Sequence, residues 1–477
     1  MKKPQHIHFV GIKGVGMTPL AIIAKEAGIT VTGSDVADAF ITDSILAASG
    51  ITPFVDFDTS HIAGADLVIT TGAHGGFDNV ETAHAQKTGV PVLTQGQAVG
   101  EFMEGSVLGR TFTGISVAGT HGKTTTTAMI ATVLESAGRN PSWIVGTSTI
   151  ASLGASGHFG DGKYFVAEAD EYANEPIHDR RAKFLFQRPH IAVVTNIEHD
   201  HPDMYPTIEH VYEAFSHLVK NLPTDGIVVA CGDDAGVRQV LQRTDAKAYT
   251  YGFTKDNRYR IVDLYSSPEG STWKVEQDGQ AVSLRLPIPG EHNVLNATAA
   301  YIVGVLCGVA AKDVATGLQT FSGTKRRMEY IGQLADGALL YDDYAHHPTE
   351  IQKTLLAIRE KYPNKKIVCI FQPHTFSRTK LLFDQFVDSL SLANTVVLTD
   401  IYASKREAFD SSVSSQDLVE KLKHKTQAFL ARKLADVVKY IHQSQFGEDT
   451  IILTMGAGDI YQIAQIVLER ESAPHSF

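Results

Sequence analysis

The sequence predicts an α/β protein with mostly parallel sheets, built from three consecutive blocks. Short apolar runs typical of strands alternate with helix-like patterns through almost all of the 477 residues, and this alternation favours parallel sheets. Two glycine-rich turns each follow a strand-like run and precede a helix-like one, which is typical of nucleotide-binding units. Because single cores stop growing near about 250–300 residues, the length also favours several domains.

The first block, residues 1–108, begins as a βαβ unit. A strand over His6–Val10 precedes glycines at 11, 14 and 16, and a helix over Met17–Ala27 follows. This G-x-x-G-x-G order departs from the G-x-G-x-x-G of dinucleotide sites, so a tight turn without a ligand is an alternative. Asp35 follows the next strand about twenty residues on, where an acid can bind ribose hydroxyls. Gly14, Gly16 and Asp35 are therefore candidate substrate-binding residues.

The second block, residues 109–322, carries the strongest motif. A strand over Gly114–Ala118 leads into Gly119-Thr120-His121-Gly122-Lys123-Thr124-Thr125 and a helix from Thr124 to Ala137. Backbone N–H groups in such a turn and at the helix start attract phosphates. Lys123 can neutralise phosphate charge, and the Thr124 hydroxyl can bind Mg²⁺. Val117 stands where the common phosphate loop has its first glycine, so this is a short variant. The alternative is a glycine turn with a surface lysine.

Acidic residues cluster after two further predicted strands of this block. Glu168-Ala169-Asp170-Glu171 follows one strand, and Glu198-His199-Asp200-His201 follows another. The carboxyl ends of parallel strands form the ligand-binding edge of a sheet, and hard oxygen ligands suit Mg²⁺. Glu168 and His201, with Thr124, are the candidate metal ligands. A solvated loop is the alternative for either cluster, and zinc at His199 and His201 lacks further ligands at suitable spacing.

The rest of the second block is predicted to contain a β-rich insertion and one more helix. Arg258–Leu286 carries Ser-Pro and Asp-Gly turns between strand-like runs, and a helix follows from Pro289 through Ala300.

The third block, residues 323–477, predicts another parallel sheet, and the tail Glu471–Phe477 is expected to fray. The paired histidines His346-His347 stand at a strand end, where burial without partners would be costly. The Arg326-Arg327 pair could stabilise the charge on a transferring phosphoryl group if it lies near a phosphate site. A helix-start cluster without a ligand is the alternative for this segment. The predicted strands lie near Leu339–Tyr341, Lys366–Phe371, Thr395–Thr399 and Ile451–Thr454.

Bulk properties exclude several classes of protein. Net charge is −11 with no long basic block, which argues against nucleic acid or an anionic membrane as partner. No apolar run approaches the roughly 20 residues of a membrane span, and the start of the chain lacks a secretory pattern. We therefore expect a cytoplasmic protein without membrane insertion. Cys231, Cys307 and Cys369 are expected to be buried free thiols.

Taken together, these motifs resemble those of the Mur ligase family. The resemblance implies three domains: a Rossmann-like N-terminal domain for a UDP-sugar, a central P-loop ATPase, and a Rossmann-like C-terminal domain that holds an amino acid and closes on ATP. It also implies a ligase that uses ATP and Mg²⁺ to activate a carboxylate as an acyl phosphate. The matching segments cover all three blocks in the family's order: Gly119–Thr125, Glu168–Glu171, Asn196–Tyr205, Gly290–Asn296, Gly323–Arg327, Tyr341–Glu350 and Phe371–Arg378.

The resemblance also implies roles for individual residues. Lys123, Arg327 and Arg378 would stabilise the reacting groups, and His346 is a candidate base for the incoming amine. His346, His374 and Arg378 would hold the amino acid, while Thr124, Glu168 and His201 would hold metal. The implied ATP contacts are Gly119, Thr120, His121, Gly122, Lys123, Thr124, Thr125, His292, Asn293, Asn296, Arg327 and Asp343.

Within the family, Gly11–Gly16 and the C-terminal motifs are most similar to the branch that adds L-alanine to UDP-N-acetylmuramate in peptidoglycan synthesis. Thr70–Gly76 departs from the Ser-Ser-Ala-Ile segment of that branch. Asp179–Phe184 is similar to the branch that attaches a whole tripeptide to this sugar during wall recycling, which is the alternative. An NAD-dependent oxidoreductase and a non-catalytic nucleotide switch are alternatives of other classes. We expect a monomer or a weak homodimer.

Overall fold

A computed structural model describes residues 3–403 and 407–472 of the chain. The described residues form three main β-sheets in succession along the chain, each flanked by helices. The predicted α/β class is confirmed. Of the predicted frayed tail, residues 473–477 lie outside the described part of the chain.

The first sheet has five parallel strands in the order β3-β2-β1-β4-β5. The glycine-rich turn predicted after β1 lies at the carboxyl edge of this sheet, beside the end of β2. Strand β2 runs on to Asp35, so the acid that was predicted to follow the strand is its last residue. The elements are β1 His6–Val10, α1 Thr18–Glu26, β2 Thr30–Asp35, α2 Asp43–Ala48, β3 Phe54–Val55, β4 Leu67–Thr70, α3 Val80–Thr88, β5 Val92–Thr94 and α4 Gln95–Glu104.

The second sheet has ten strands in the order β17-β16-β15-β14-β13-β12-β6-β9-β7-β8. The segment predicted as a β-rich insertion extends this sheet, because β15 pairs in parallel with β14 and then with β16 in an antiparallel hairpin. The elements are β6 Thr113–Ala118, α5 Lys123–Ser136, β7 Ser142–Ile144, β8 Gly157–His158, β9 Tyr164–Glu168, β10 Ala173–Glu175, β11 Asp179–Ala182, β12 Ile191–Val194, α6 Ile208–Lys220, β13 Ile227–Cys231, α7 Ala235–Leu241, β14 Lys247–Gly252, β15 Tyr259–Ser267, β16 Gly270–Gln277, β17 Gln280–Leu286, α8 Glu291–Leu306 and α9 Ala311–Thr320.

Strand β6 lies near the middle of the second sheet, between β12 and β9, with both partners parallel. It is buried from Gly114 to Ala118, as expected for a strand covered on both faces. Helix α5 is buried from Thr124 to Leu134 and packs against α8 and α9. A central strand and a buried helix thus hold the turn between them rigidly at the carboxyl edge of the sheet.

The third sheet has six strands in the order β18-β19-β23-β20-β21-β22, and only β18 is antiparallel to its neighbour. The elements are β18 Glu329–Gln333, β19 Leu339–Asp343, α10 Pro348–Lys361, β20 Lys366–Phe371, α11 Phe376–Leu381, α12 Phe383–Leu390, β21 Thr395–Leu398, α13 Ser415–Leu422, β22 Gln427–Leu430, α14 Leu434–Gln443, β23 Thr450–Met455 and α15 Gln462–Ser472.

Polar contacts join the first and third sheets to segments of the central block, namely the two-stranded sheet β10-β11 and the segment after β12. The Thr94 hydroxyl, at the end of the first sheet, donates to Asn174 Oδ1 over 2.5 Å. Arg378 Nε, on α11 beside the third sheet, donates to Asp200 Oδ1 over 2.8 Å. These contacts bring the carboxyl edges of the sheets toward a shared space.

Two further observations complete the fold. Cys231, Cys307 and Cys369 are buried free thiols, as predicted. Among the described residues, no helix combines the length and the apolar character required to cross a bilayer.

Candidate functional site

The turn between β6 and α5 has the backbone shape of a phosphate-binding loop. Gly119 and Gly122 have φ angles of 135° and 81°, which side chains other than glycine rarely adopt. A Cβ atom at Gly119 would lie 2.1 Å from Thr195 Oγ1. Helix α5 begins at Lys123 without a hydrogen bond from a capping side chain. The first-turn N–H groups therefore remain available to an anion.

Lys123 is the first residue of α5, directly after this turn. Its Nζ donates to the carbonyl oxygens of Gly119 and Thr120 over 2.5 and 3.1 Å. It also lies 2.9 Å from a Glu171 carboxylate oxygen. Burial lowers the pKa of Lys123, but the surrounding carboxylates of Glu171, Asp170 and Glu168 more than offset this and raise it. The ammonium group is thus kept charged and is held beside the turn by these contacts.

Two of the three predicted metal ligands touch each other. The Thr124 hydroxyl donates to Glu168 Oε2 over 3.2 Å, and Gly146 N–H donates to Glu168 Oε1 over 2.6 Å. Burial raises the pKa of Glu168, so a nearby cation would stabilise its charged form. The third, His201, has Nε2 3.8 Å from Glu171 Oε1. His201 therefore lies beside Glu171, the acid that pairs with Lys123.

One cavity of about 740 Å³ lies between α8, the phosphate-type turn and the third sheet. Burial, together with the charges of Lys353 and Arg327, lowers the pKa of His292 to about 3, so this imidazole is neutral. Asn293 Nδ2 donates to Pro289 O over 2.8 Å and fixes the start of α8. The predicted residues that line this cavity are His121, Gly122, Thr125, His292, Asn293, Asn296, Arg327 and Asp343.

A second cavity of about 500 Å³ adjoins the first, since Gly122, Arg327 and Glu350 line both. All three sheets contribute to it. The predicted residues in its wall are Gly14, Gly16, Asp35, Thr120, Gly122, Lys123, Thr124, Glu168, His201, Arg327, His346, His374 and Arg378. Gly119, another of the predicted ATP contacts, lines neither cavity. Its positive φ angle shapes the turn instead.

Asp35 is buried and already has partners within the first sheet. Its carboxylate accepts hydrogen bonds from Lys13 N–H and Val36 N–H over 2.7 and 2.8 Å, and His74 Nε2 lies 3.4 Å away. The carboxylate thus fixes the glycine-rich turn. The predicted ribose contact would have to be made in addition to these backbone contacts.

Two histidines of the third block line the second cavity, and they have different neighbours. His346 Nδ1 lies 3.1 Å from Tyr344 O and 3.4 Å from Glu350 Oε2. Burial, partly opposed by Glu350, lowers the pKa of His346 to about 3, so the ring is neutral and resists protonation in this setting. The His374 ring stacks on Tyr402 with centroids 5.7 Å apart.

Four acidic residues of the site received no individual role from the sequence. Glu350 lies 3.4 Å from both Arg327 Nη1 and His121 Nδ1. Asp200 pairs with Arg378, Glu171 pairs with Lys123, and Glu198 lies 3.3 Å from His121. In the sequence, each of these carboxylates stands within a few positions of a predicted site residue. Only the fold shows which cation each one contacts.

Profiles of one family match the chain along most of its length. The profile "Mur ligase family, catalytic domain" matches residues 6–106, "Mur ligase middle domain" matches 117–304, and "Mur ligase, glutamate ligase domain" matches 326–458.

Similar proteins agree with these profiles. The chain is 38% identical to a UDP-N-acetylmuramate–L-alanine ligase of Desulfitobacterium hafniense, over 97% of this chain and 99% of that protein. It is similar to the crystal structure of the UDP-N-acetylmuramate–alanine ligase of Thermotoga maritima, with a TM-score of 0.80, 30% identity and 98% of each chain covered. It is also similar to a murein peptide ligase of Psychrobacter arcticus, with a TM-score of 0.73, 25% identity, and 99% of this chain and 100% of that chain covered.

Proposed function

This chain belongs to the Mur ligase family, and from that premise we propose that it joins L-alanine to the carboxylate of UDP-N-acetylmuramate in peptidoglycan synthesis, at the expense of ATP. The observation that carries the proposal is the second cavity. There the Lys123 ammonium, the Thr124–Glu168 pair and the neutral His346 face one space together with the glycine-rich turn of the first sheet.

We assign one role to each part of the chain. Residues 1–108 bind the UDP-sugar, residues 109–322 bind ATP, and residues 323–477 hold the amino acid and close over the nucleotide. This assignment is supported by the two adjoining cavities, because each draws its lining from more than one sheet.

The residues present fit MgATP. The uncapped start of α5 and the charged Lys123 suit the phosphates. The base and ribose would occupy the larger cavity, beside His292, Asn293 and Asn296. The donor set of Thr124 and Glu168, with His201 close by, is rich in oxygen and suits Mg²⁺, which would neutralise phosphate charge there.

The chemistry follows from the weakness of a carboxylate as an electrophile. Attack of a carboxylate oxygen on the γ-phosphorus forms an acyl phosphate and releases ADP. Lys123 and Arg327 stabilise the charge on the transferring group. The neutral amine of L-alanine then attacks the acyl carbon, and phosphate leaves with the former carboxylate oxygen.

We propose that His346 takes the proton from the amine nitrogen after the new C–N bond has formed, because that nitrogen is then far more acidic than a free ammonium group. We expect His346→Ala to lower the rate of amide formation about 10²–10⁴-fold, the usual contribution of a positioned base. Formation of the acyl phosphate should change much less, since His346 does not contact the phosphate-type turn. Rapid-quench measurement of both steps checks this, with His210→Gln on α6 as an exposed control. Equal loss in both steps would contradict a role confined to the amine.

The alternative donor is a tripeptide, as the segment Asp179–Phe184 indicates. In the structure the cations of this segment have partners within the chain. Arg181 Nε donates to Asp179 over 2.8 Å, and Lys183 Nζ donates to Asp170 over 2.7 Å. The candidate amine site is also enclosed, since the side chains of His346 and Arg378 are 16% and 4% exposed. Both observations support a small donor.

Mass spectrometry separates the two donors. With UDP-N-acetylmuramate, MgATP and an equimolar mixture of L-alanine, glycine, L-serine and tripeptide, we expect the L-alanine adduct as the main product. A dominant tripeptide adduct would transfer the assignment to wall recycling. A change in cofactor absorbance with NAD in the absence of ATP would favour an oxidoreductase instead.

A further inference from the structure

Three side chains from distant segments meet beside the phosphate-type turn. They are His121 in the turn itself, Glu198 after β12, and His347 at the start of α10. One nitrogen or carboxylate oxygen from each lies within 4.8 Å of the others. His121 Nε2 and His347 Nδ1 are 3.3 and 3.6 Å from Glu198 Oε2. The two imidazole rings have centroids 4.7 Å apart.

His347 is the member that its surroundings explain least. Its side chain is 3% exposed. Its Nδ1 accepts a hydrogen bond from Thr349 N–H over 3.3 Å, while its Nε2 is buried and has no hydrogen-bond partner among the described residues. A buried polar atom without a partner costs free energy. The atom that faces Glu198 is Nδ1 rather than this Nε2, so the case for a ligand depends on the arrangement of the three side chains.

The donor types distinguish this cluster from the predicted magnesium site. Thr124 and Glu168 offer hard oxygen atoms, which suit Mg²⁺. Two imidazoles and one carboxylate are instead the ligand set that proteins use for Zn²⁺, with a fourth position left to water or substrate. The sequence did not predict this set, because its three residues stand more than seventy positions apart.

We propose that His121, Glu198 and His347 form a binding site for Zn²⁺ that is separate from the magnesium site. Bound Zn²⁺ joins the turn at the second sheet to the first turn of α10 beside the third sheet. The same two parts of the chain already touch, since the Thr349 hydroxyl donates to Glu198 Oε2 over 2.6 Å. The ion thus links two segments that line the larger cavity, which we assign to the nucleotide.

The test is a zinc titration of the full chain after treatment with a chelator, in competition with a chromogenic zinc indicator. We expect wild type to bind one Zn²⁺, and His347→Gln and Glu198→Gln each to weaken that binding at least about 10-fold. Two controls should retain wild-type affinity. His210→Gln removes an exposed histidine on α6, and Glu168→Gln alters the magnesium site.

A second measurement guards against misfolded variants. Zn²⁺ should raise the unfolding temperature of wild type and His210→Gln, because it binds the folded chain, but not that of His347→Gln or Glu198→Gln. Equal zinc affinity in wild type and both cluster variants overturns the proposal. So does a loss in Glu168→Gln as large as in the cluster variants, since Zn²⁺ would then occupy the magnesium site.

Discussion

Replacing Lys123 with Ala is expected to lower the rate of acyl-phosphate formation by about 10³-fold or more. The substitution removes the ammonium group that faces the transferring phosphoryl group. It also leaves the carboxylates of Glu168, Asp170 and Glu171, which raise the pKa of Lys123 in wild type, without that partner. Their uncompensated negative charge would repel the phosphates. Rapid-quench assay of phosphoryl transfer to UDP-N-acetylmuramate measures the effect.

The matched control is Lys87→Ala, an exposed lysine at the end of α3. It should retain wild-type rates. Thermal unfolding of both variants distinguishes a damaged fold from lost chemistry, because removal of Lys123 also breaks its ion pair with Glu171. A folded Lys123→Ala protein that transfers the phosphoryl group at the wild-type rate would contradict this role.

Replacing Arg378 with Ala is expected to lower the free energy of unfolding by about 3–5 kcal/mol. Arg378 and Asp200 are 4% and 6% exposed and form an ion pair of 2.8 Å between α11 and the segment after β12. Without Arg378, the Asp200 carboxylate stays buried without its main cation. Urea denaturation of the single variants Arg378→Ala and Asp200→Asn, and of the double variant, measures the coupling.

The double variant should be less destabilised than the sum of the two single variants, because neither charge is then left alone. Lys380→Ala provides the control, since Lys380 lies on the same helix and its side chain is 59% exposed. Simple additivity of the two single changes would show that Arg378 and Asp200 do not act as a pair.

The elements of the fold were accessible from the sequence because they depend on local patterns. The predicted strand Lys366–Phe371 has the same bounds in the structure, and the glycine-rich turn at 119–125 stands between a strand and a helix as predicted. Helix α8 continues to Leu306 rather than Ala300. The helix extends further because residues 301–304 after Ala300 are also buried.

Contacts between distant segments were not accessible in this way. Asp200 and Arg378 are 178 positions apart, yet they form a buried pair. His346 and His347 are adjacent in sequence, but only His346 lines the second cavity, while the His347 ring packs against His121. The sequence identified the residue types of the site, whereas the partner of each charge depends on how the three sheets meet.

The most direct test of the account follows one oxygen atom. UDP-N-acetylmuramate labelled with ¹⁸O in its carboxylate is incubated with MgATP, L-alanine and the enzyme, and the released phosphate is analysed by mass spectrometry. If the carboxylate is activated by the γ-phosphoryl group, each phosphate released carries one ¹⁸O atom and the nucleotide product is ADP. Unlabelled phosphate, or release of AMP, would contradict an acyl phosphate formed beside Lys123.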